Sequence, residues 1–223
     1  MLSHQSLISP KIGCSTQLLA WLSALVPSPG RGAAHVTITR MSVVYLSSHP
    51  ETPCPAVSLI EVHYALTATG GLSLSYRLAG KLDQLIIPEV NPLSSRRDEL
   101  WRHTCLEAFI ASAGETAYRE FNFSPSGDWA VYAFDGYRSG MAVHGMAGAL
   151  EVGIKREARE FQLDVMLPPG AISASTTKKV PLRLALSVVL EMTHGAHSYW
   201  ALRHPLGKPD FHHADGFVLH LAG

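Results

Sequence analysis

Ile60-Glu61-Val62-His63-Tyr64-Ala65-Leu66, then Thr69-Gly70-Gly71, then Leu72-Ser73-Leu74-Ser75-Tyr76-Arg77-Leu78 is the stretch on which the reading of this chain turns. In the first run Ile60, Val62, Tyr64 and Leu66 alternate with Glu61, His63 and Ala65; in the second, Leu72, Leu74, Tyr76 and Leu78 alternate with Ser73, Ser75 and Arg77. Successive strand residues point to opposite faces, so a period of two marks a strand. The Gly-Gly pair between them reaches positive φ without a steric cost, so the two runs read as a hairpin.

The pattern extends along the chain. Phe161, Leu163, Val165 and Leu167 form one stripe, and Leu182, Leu184, Leu186, Val188 and Leu190 form the longest. Shorter runs lie at 104–112, 117–123, 129–134, 148–155, 198–202 and 217–221, separated by turn sequences such as Pro125-Ser126-Gly127 and Pro168-Pro169-Gly170. No stretch of ten residues has a helical period, although Arg96–Cys105 has room for one helical turn. The expectation is an all-β, antiparallel sandwich of roughly 9–11 strands.

Composition sets the outer limits. The chain has 223 residues, 47% of them hydrophobic, which suits a globular fold rather than a disordered one. Its 18 basic and 18 acidic residues cancel, so it lacks the electrostatic footprint of a nucleic-acid binder. The longest apolar run, Leu18–Val26, is short of the roughly 20 residues of a membrane span. Cys14, Cys54 and Cys105 form neither a disulfide framework nor a CxxC zinc pattern, which leans toward the cytoplasm.

Charge is uneven along the chain. Residues 1–40 carry Lys11, Arg31 and Arg40 and no acid, so all 18 carboxylates follow Met41. The segment 1–40 fits a secretory leader poorly, because its apolar centre begins late and Gly32-Ala33-Ala34 is a weak cleavage match. It reads as a disordered extension, with translation starting near Met41 and a single domain over residues 41–223.

Two segments concentrate polar and aromatic residues. The first runs from Arg96 to Met141. On its strand 104–110, Glu107 shares a face with Cys105 and Phe109; on the next, Glu120 shares a face with Asn122. Glu107 and Glu120 therefore meet on one sheet surface. They read either as part of an ion-pair network with Arg97, Arg102, Arg119 or Arg138, or as a polar floor beneath a ligand flanked by Trp101 and Trp129. Aromatic faces pack on the C–H surfaces of a sugar or on a planar cofactor, while carboxylates and Arg hold polar edges. The second segment runs from Ser198 to His213 and carries Trp200, His204, Lys208, Asp210 and His212. Adjacent His212 and His213 would point apart on a strand, and no HExxH motif occurs, so no metal is assigned.

Leu100-Trp101-x-x-Thr104-Cys105-x-Glu107-Ala108-Phe109, Glu120-Phe121-Asn122-Phe123-Ser124-Pro125-x-Gly127-x-Trp129, Tyr137-Arg138-x-Gly140-Met141 and Tyr199-Trp200-Ala201-Leu202-x-His204-Pro205-x-Gly207-Lys208-Pro209-Asp210-Phe211-His212 together resemble the DOMON-like family of bacterial proteins. The match covers about residues 57–221. That family is similar to family 9 carbohydrate-binding modules and to haem-binding DOMON cytochrome domains. The resemblance implies a two-sheet sandwich that binds sugar or haem, and relatives beside a reductase of peptidoglycan-precursor synthesis extend the sugar class to cell-wall saccharides. Sugar and haem relatives also work outside the cell, so the periplasm or secretion stands beside the cytoplasm.

The leading expectation is a non-catalytic binder of a small polar ligand, a carbohydrate first. Trp101 and Trp129 would stack on it; Arg97, Glu107, Glu120 and Arg138 would hydrogen-bond its edges. Tyr137, Trp200, His204, Lys208, Asp210 and His212 complete the ligand-side set. The alternatives are a haem-binding electron-transfer domain using a His of 194–213 with Met141, Met146 or Met192, an enzyme using Glu107 and Glu120, and a protein-docking surface over Trp200–His213.

Overall fold

The computed structural model describes residues 41–172 and 181–222; the expectation for residues 1–40 lies outside them. The described residues form an antiparallel β-sandwich. One sheet holds β1 (Ser42–Tyr45), β3 (Val57–Leu66), β4 (Leu72–Gly80), β10 (Glu160–Leu167) and β9 (Val152–Arg156), in that order. The other runs β2 (Ser47–Ser48), β12 (His197–Ala201), β11 (Leu182–Glu191), β5 (Cys105–Ser112), β6 (Tyr118–Phe123), β7 (Trp129–Phe134) and β8 (Ala142–Val143), with β13 (Leu219–Leu221) paired to the start of β11. Thirteen strands thus replace the expected 9–11 among the described residues. The additions β1, β2 and β8 are four, two and two residues long and sit at sheet edges, too short to show a period.

The 60–78 stretch forms the β3–β4 hairpin. Gly70 sits at φ +85°, and Thr67 Oγ1 accepts the Gly71 N–H at 2.8 Å, a side-chain bond that closes the turn. The segment 96–105 holds a 3₁₀ turn, Leu100–Arg102, and Pro169–Ile172 makes a single helical turn where the sequence Pro168-Pro169-Gly170 reads as a turn.

Between the sheets, Ile60, Val62, Leu74, Leu78, Leu163 and Val165 belong to one core cluster with Leu106, Ala108, Phe121, Phe123, Leu186 and Val188. Tyr76, fully buried, donates its hydroxyl to the Glu107 carbonyl at 2.7 Å, so its polar end is satisfied within the core.

The decisive feature lies on the far side of the larger sheet. Phe109, Ala111, Tyr118, Ala130, Tyr132, Phe134, Ala185 and Phe217 form a second buried cluster, against which Leu100, Trp101 and Phe211 pack. Strand β5 is therefore buried on both faces, from Cys105 to Ala111. Any polar side chain on its second face is taken out of bulk water, and that is where Glu107 stands.

Candidate functional site

Register places the acids. Glu107 lies opposite Asn122, and Phe109 lies opposite Glu120, so the two glutamates are diagonal neighbours on one sheet face rather than a directly facing pair. They are 2% and 5% exposed. Asn122 donates to Glu120 Oε1 at 2.7 Å, and its own carbonyl takes the Cys105 thiol at 3.4 Å. Ser187, on β11, donates to Glu107 Oε2 at 3.2 Å.

Above these acids opens a cavity of about 340 Å³. Glu107 and Glu120 line it together with Phe109 and Val189 from the sheet, Tyr199 from β12, and Phe134 at the end of β7. Trp101 comes from the 3₁₀ turn, Arg138 and Met141 from the β7–β8 loop, and Pro209, Phe211 and His212 from the loop after β12. The loops carry no period, yet they cover the sheet by aromatic contact. Trp101 meets Tyr132 edge-on at 5.6 Å between ring centres, and Tyr199 meets Phe211 at 5.9 Å.

His212 is held on both sides. Tyr118 Oη lies 2.7 Å from its Nδ1, and the same oxygen accepts the Arg138 backbone N–H at 3.2 Å. With the tyrosine proton directed to Nδ1, the neutral ring carries its own proton on Nε2, which faces Glu120 Oε2 at 3.8 Å. Arg138 adopts a left-handed backbone (φ 51°), and its guanidinium pairs with Asp210 at 2.8 Å. Asp210 also accepts the Tyr137 hydroxyl and the His212 backbone N–H.

Burial dominates the electrostatics. It pushes the Glu107 carboxyl well above the usual carboxylate range, with the nearby Glu120 adding to the shift and the Ser187 bond opposing it. Burial raises Glu120 to about 7 against the pull of Asn122 and Arg138. It lowers His212 to about 4, with Arg138 acting in the same direction and Asp210 against it.

Of the residues singled out in the sequence, Trp101, Glu107, Glu120, Arg138 and His212 come together on this cavity. Tyr137, Lys208 and Asp210 line a neighbouring open cleft of about 590 Å³, joined to the first through Arg138 and Pro209. The others lie elsewhere. Trp129 stands opposite Phe123 and Trp200 opposite Val188, so both face the inter-sheet core, where they are 6% and 7% exposed. The expected stacking role of Trp129 is corrected accordingly. Arg97 pairs with Asp128 at 3.2 Å, at the rim of a turn. His204 has its Nε2 2.9 Å from the Ser47 carbonyl and packs edge-on against His49. Phe109, Phe134, Val189, Tyr199 and Phe211 were missed as cavity residues, and Tyr118 as the group that fixes His212. The available signal was that Phe109 and Ala111 on β5 and Ala185 and Val189 on β11 alternate with the core stripe and are also apolar, which calls for a second cover.

Among the described residues no group of three or more His, Cys, Asp or Glu side chains is placed to hold a metal. Cys54 and Cys105 are buried free thiols. No helix among the described residues is long and apolar enough to cross a membrane.

No protein-family model matches the chain, and no curated protein sequence matches it. Solved structures do. A Bacteroides uniformis protein provisionally assigned to carbohydrate binding superposes with a TM-score of 0.56 at 13% identity, over 80% of this chain and 84% of that one. A family 9 carbohydrate-binding module from Caldicellulosiruptor kristjanssonii in complex with cellotriose gives a TM-score of 0.40 at 11% identity, over 79% and 83%. The glucose complex of a module of the same family and organism gives 0.38 at 12%, over 78% and 76%. The first of these likenesses establishes the fold as one shared with the Bacteroides protein.

Proposed function

We propose that the protein is a non-catalytic, saccharide-binding β-sandwich whose ligand sits in the cavity over Glu107 and Glu120. One observation carries the reading: two buried carboxyls with spare acceptor capacity open into a cavity walled by Trp101, Tyr199 and Phe211. A sugar needs both parts, apolar rings against its C–H faces and fixed polar groups for its hydroxyls. The cavity lies at the lower end of the roughly 300–1,000 Å³ range of ligand sites, which suits a single sugar ring, and the adjoining cleft gives a chain room to continue. The carbohydrate-binding assignment of the Bacteroides neighbour, reached on the same fold, supports the same class.

Calorimetric titration with mono- and oligosaccharides, including cell-wall fragments, tests this. Saturable binding that weakens by about 1–3 kcal/mol in Trp101→Ala, with the sugar recovered unchanged, is the expected result. Turnover lost in Glu107→Gln would make the protein an enzyme instead.

The haem alternative has one observation in its favour: Met141 and His212 line the same cavity. The residues nonetheless do not fit the group. His212 is bonded to Tyr118 through Nδ1, and Glu120 Oε2 stands 3.8 Å from its Nε2, so a carboxyl oxygen occupies the space that an iron on that nitrogen would need. Two buried carboxyls, moreover, occupy the floor on which a porphyrin face would rest.

A further inference from the structure

Resting on the saccharide reading of this cavity, we infer that the ligand carries a protonated amine, as an amino sugar does, and that the amine docks on the Glu107–Glu120 floor. The inference starts from a mismatch of charge. Both acids are buried, and two basic side chains line the cavity with them. Arg138 gives its guanidinium to Asp210 at 2.8 Å. His212 faces Glu120 at 3.8 Å as a neutral ring, already bonded through Nδ1. Glu107 receives the Ser187 hydroxyl on Oε2, and among the described residues no donor reaches its Oε1.

The site thus holds two acids, and its one cation, Arg138, is already paired with Asp210. A buried carboxylate without a partner is costly, and an empty floor of this kind lowers that cost by keeping protons on the acids. An ammonium group reverses the situation. It brings a positive charge and three N–H donors to carboxyls that, once ionised, can only accept. Trp101, Tyr199 and Phe211 supply the aromatic surroundings that complement a cation once water is excluded. A neutral sugar would use the same rings and leave the charge of the floor unanswered. Each carboxyl that ionises on docking releases one proton to the solvent, so binding is coupled to proton release and no further reactant is required.

Glucosamine, glucose and N-acetylglucosamine share one ring and differ at a single substituent, which is charged only in glucosamine. Titration of the full chain at pH 7 in buffers of different ionisation enthalpy should show glucosamine binding at least about ten-fold more tightly than the other two, with net proton release. Glu107→Gln and Glu120→Gln keep the side-chain shape and remove the charge. In either, the preference for glucosamine should collapse toward parity; where one variant fails to fold, the other and the proton release of the wild type decide. Equal or tighter binding of the neutral sugars without proton release overturns the amine inference and leaves saccharide binding standing. Silence from all three sugars and their oligomers overturns both.

Discussion

Glu120 and His212 face one another across 3.8 Å with the charges of an ordinary ion pair suppressed: burial draws the acid up to about 7 and the imidazole down to about 4. The consequences for stability have opposite signs. Glu120 binds its proton more tightly folded than unfolded, where its value is 4.5, so its penalty on the folded state is absent below that pH. The penalty grows as pH rises toward 7. His212, at about 4 against 6.5 unfolded, costs stability only on the acid side and restores it as pH climbs between those values. Glu120→Gln removes the first effect and preserves an acceptor for Asn122. Its stability relative to wild type should improve by on the order of 3 kcal/mol between pH 5 and pH 8, measured by urea unfolding at both. Parallel pH profiles for the two proteins would show that Glu120 does not titrate as its burial requires.

The tryptophans separate binding from folding. Trp101 is half-buried on the cavity wall, whereas Trp129 and Trp200 are core residues. Trp101→Ala should therefore leave the melting temperature within a few degrees of wild type while weakening saccharide binding. Trp129→Ala should cost about 3–5 kcal/mol of stability, because a large core side chain leaves a cavity behind. Thermal melts of the two variants, followed by titration of whichever folds, distinguish the roles; a fully stable Trp129→Ala would contradict its place in the core.

That contrast also marks where the sequence was legible. The stripe Leu182–Leu190 and the hairpin around Gly70-Gly71 declare the sandwich because burial imposes a period of two on strands. The same rule brings Glu107 and Glu120 to one face. Trp129 misleads because it opens the run 129–134, whose residues are apolar on both faces, so alternation does not say which face lies inward; in the fold it starts β7 and faces the inter-sheet core with Val131. The loops bearing Trp101, Arg138 and Phe211 have no period to read, so their convergence over β5 depends on tertiary packing that local spacing does not encode. His204 and Arg97 carry chemistry compatible with a ligand, and only the fold shows that Ser47 and Asp128 already engage them.

Asp128 anchors one of those loops. Nearly fully buried, it accepts from Asn91 Nδ2 at 3.1 Å, from the Ser95 backbone N–H at 3.0 Å and from Ser126 Oγ at 3.0 Å, and it pairs with Arg97. Burial alone would raise its carboxyl, but these donors and Arg97 hold it below the usual range. Its stabilising contribution is present above the ordinary carboxylate pKa and is lost as pH falls through the lowered one. Asp128→Ala should destabilise the domain by about 2–4 kcal/mol and free residues 91–97 for proteolysis. Limited digestion with a trypsin-like protease, mapped by mass spectrometry, should find new cleavage after Arg96 or Arg97; an unchanged digest would show that the loop is held by other contacts.

Haemin gives the sharpest contrast between the two ligand classes that the sequence suggests. To coordinate iron through Nε2, His212 would have to turn that nitrogen away from Glu120, and the porphyrin would have to displace the aromatic cover formed by Trp101 and Phe211. Titration of haemin into the protein should therefore give only weak, non-saturating absorbance changes, the same in wild type and in His212→Ala. The folded state of that variant can be confirmed by its far-ultraviolet spectrum. A Soret band that saturates at one equivalent and is lost in His212→Ala or Met141→Ala would establish axial ligation. It would also mean that His212 and Glu120 move apart in solution, and the cavity would then have to be redrawn around an iron porphyrin.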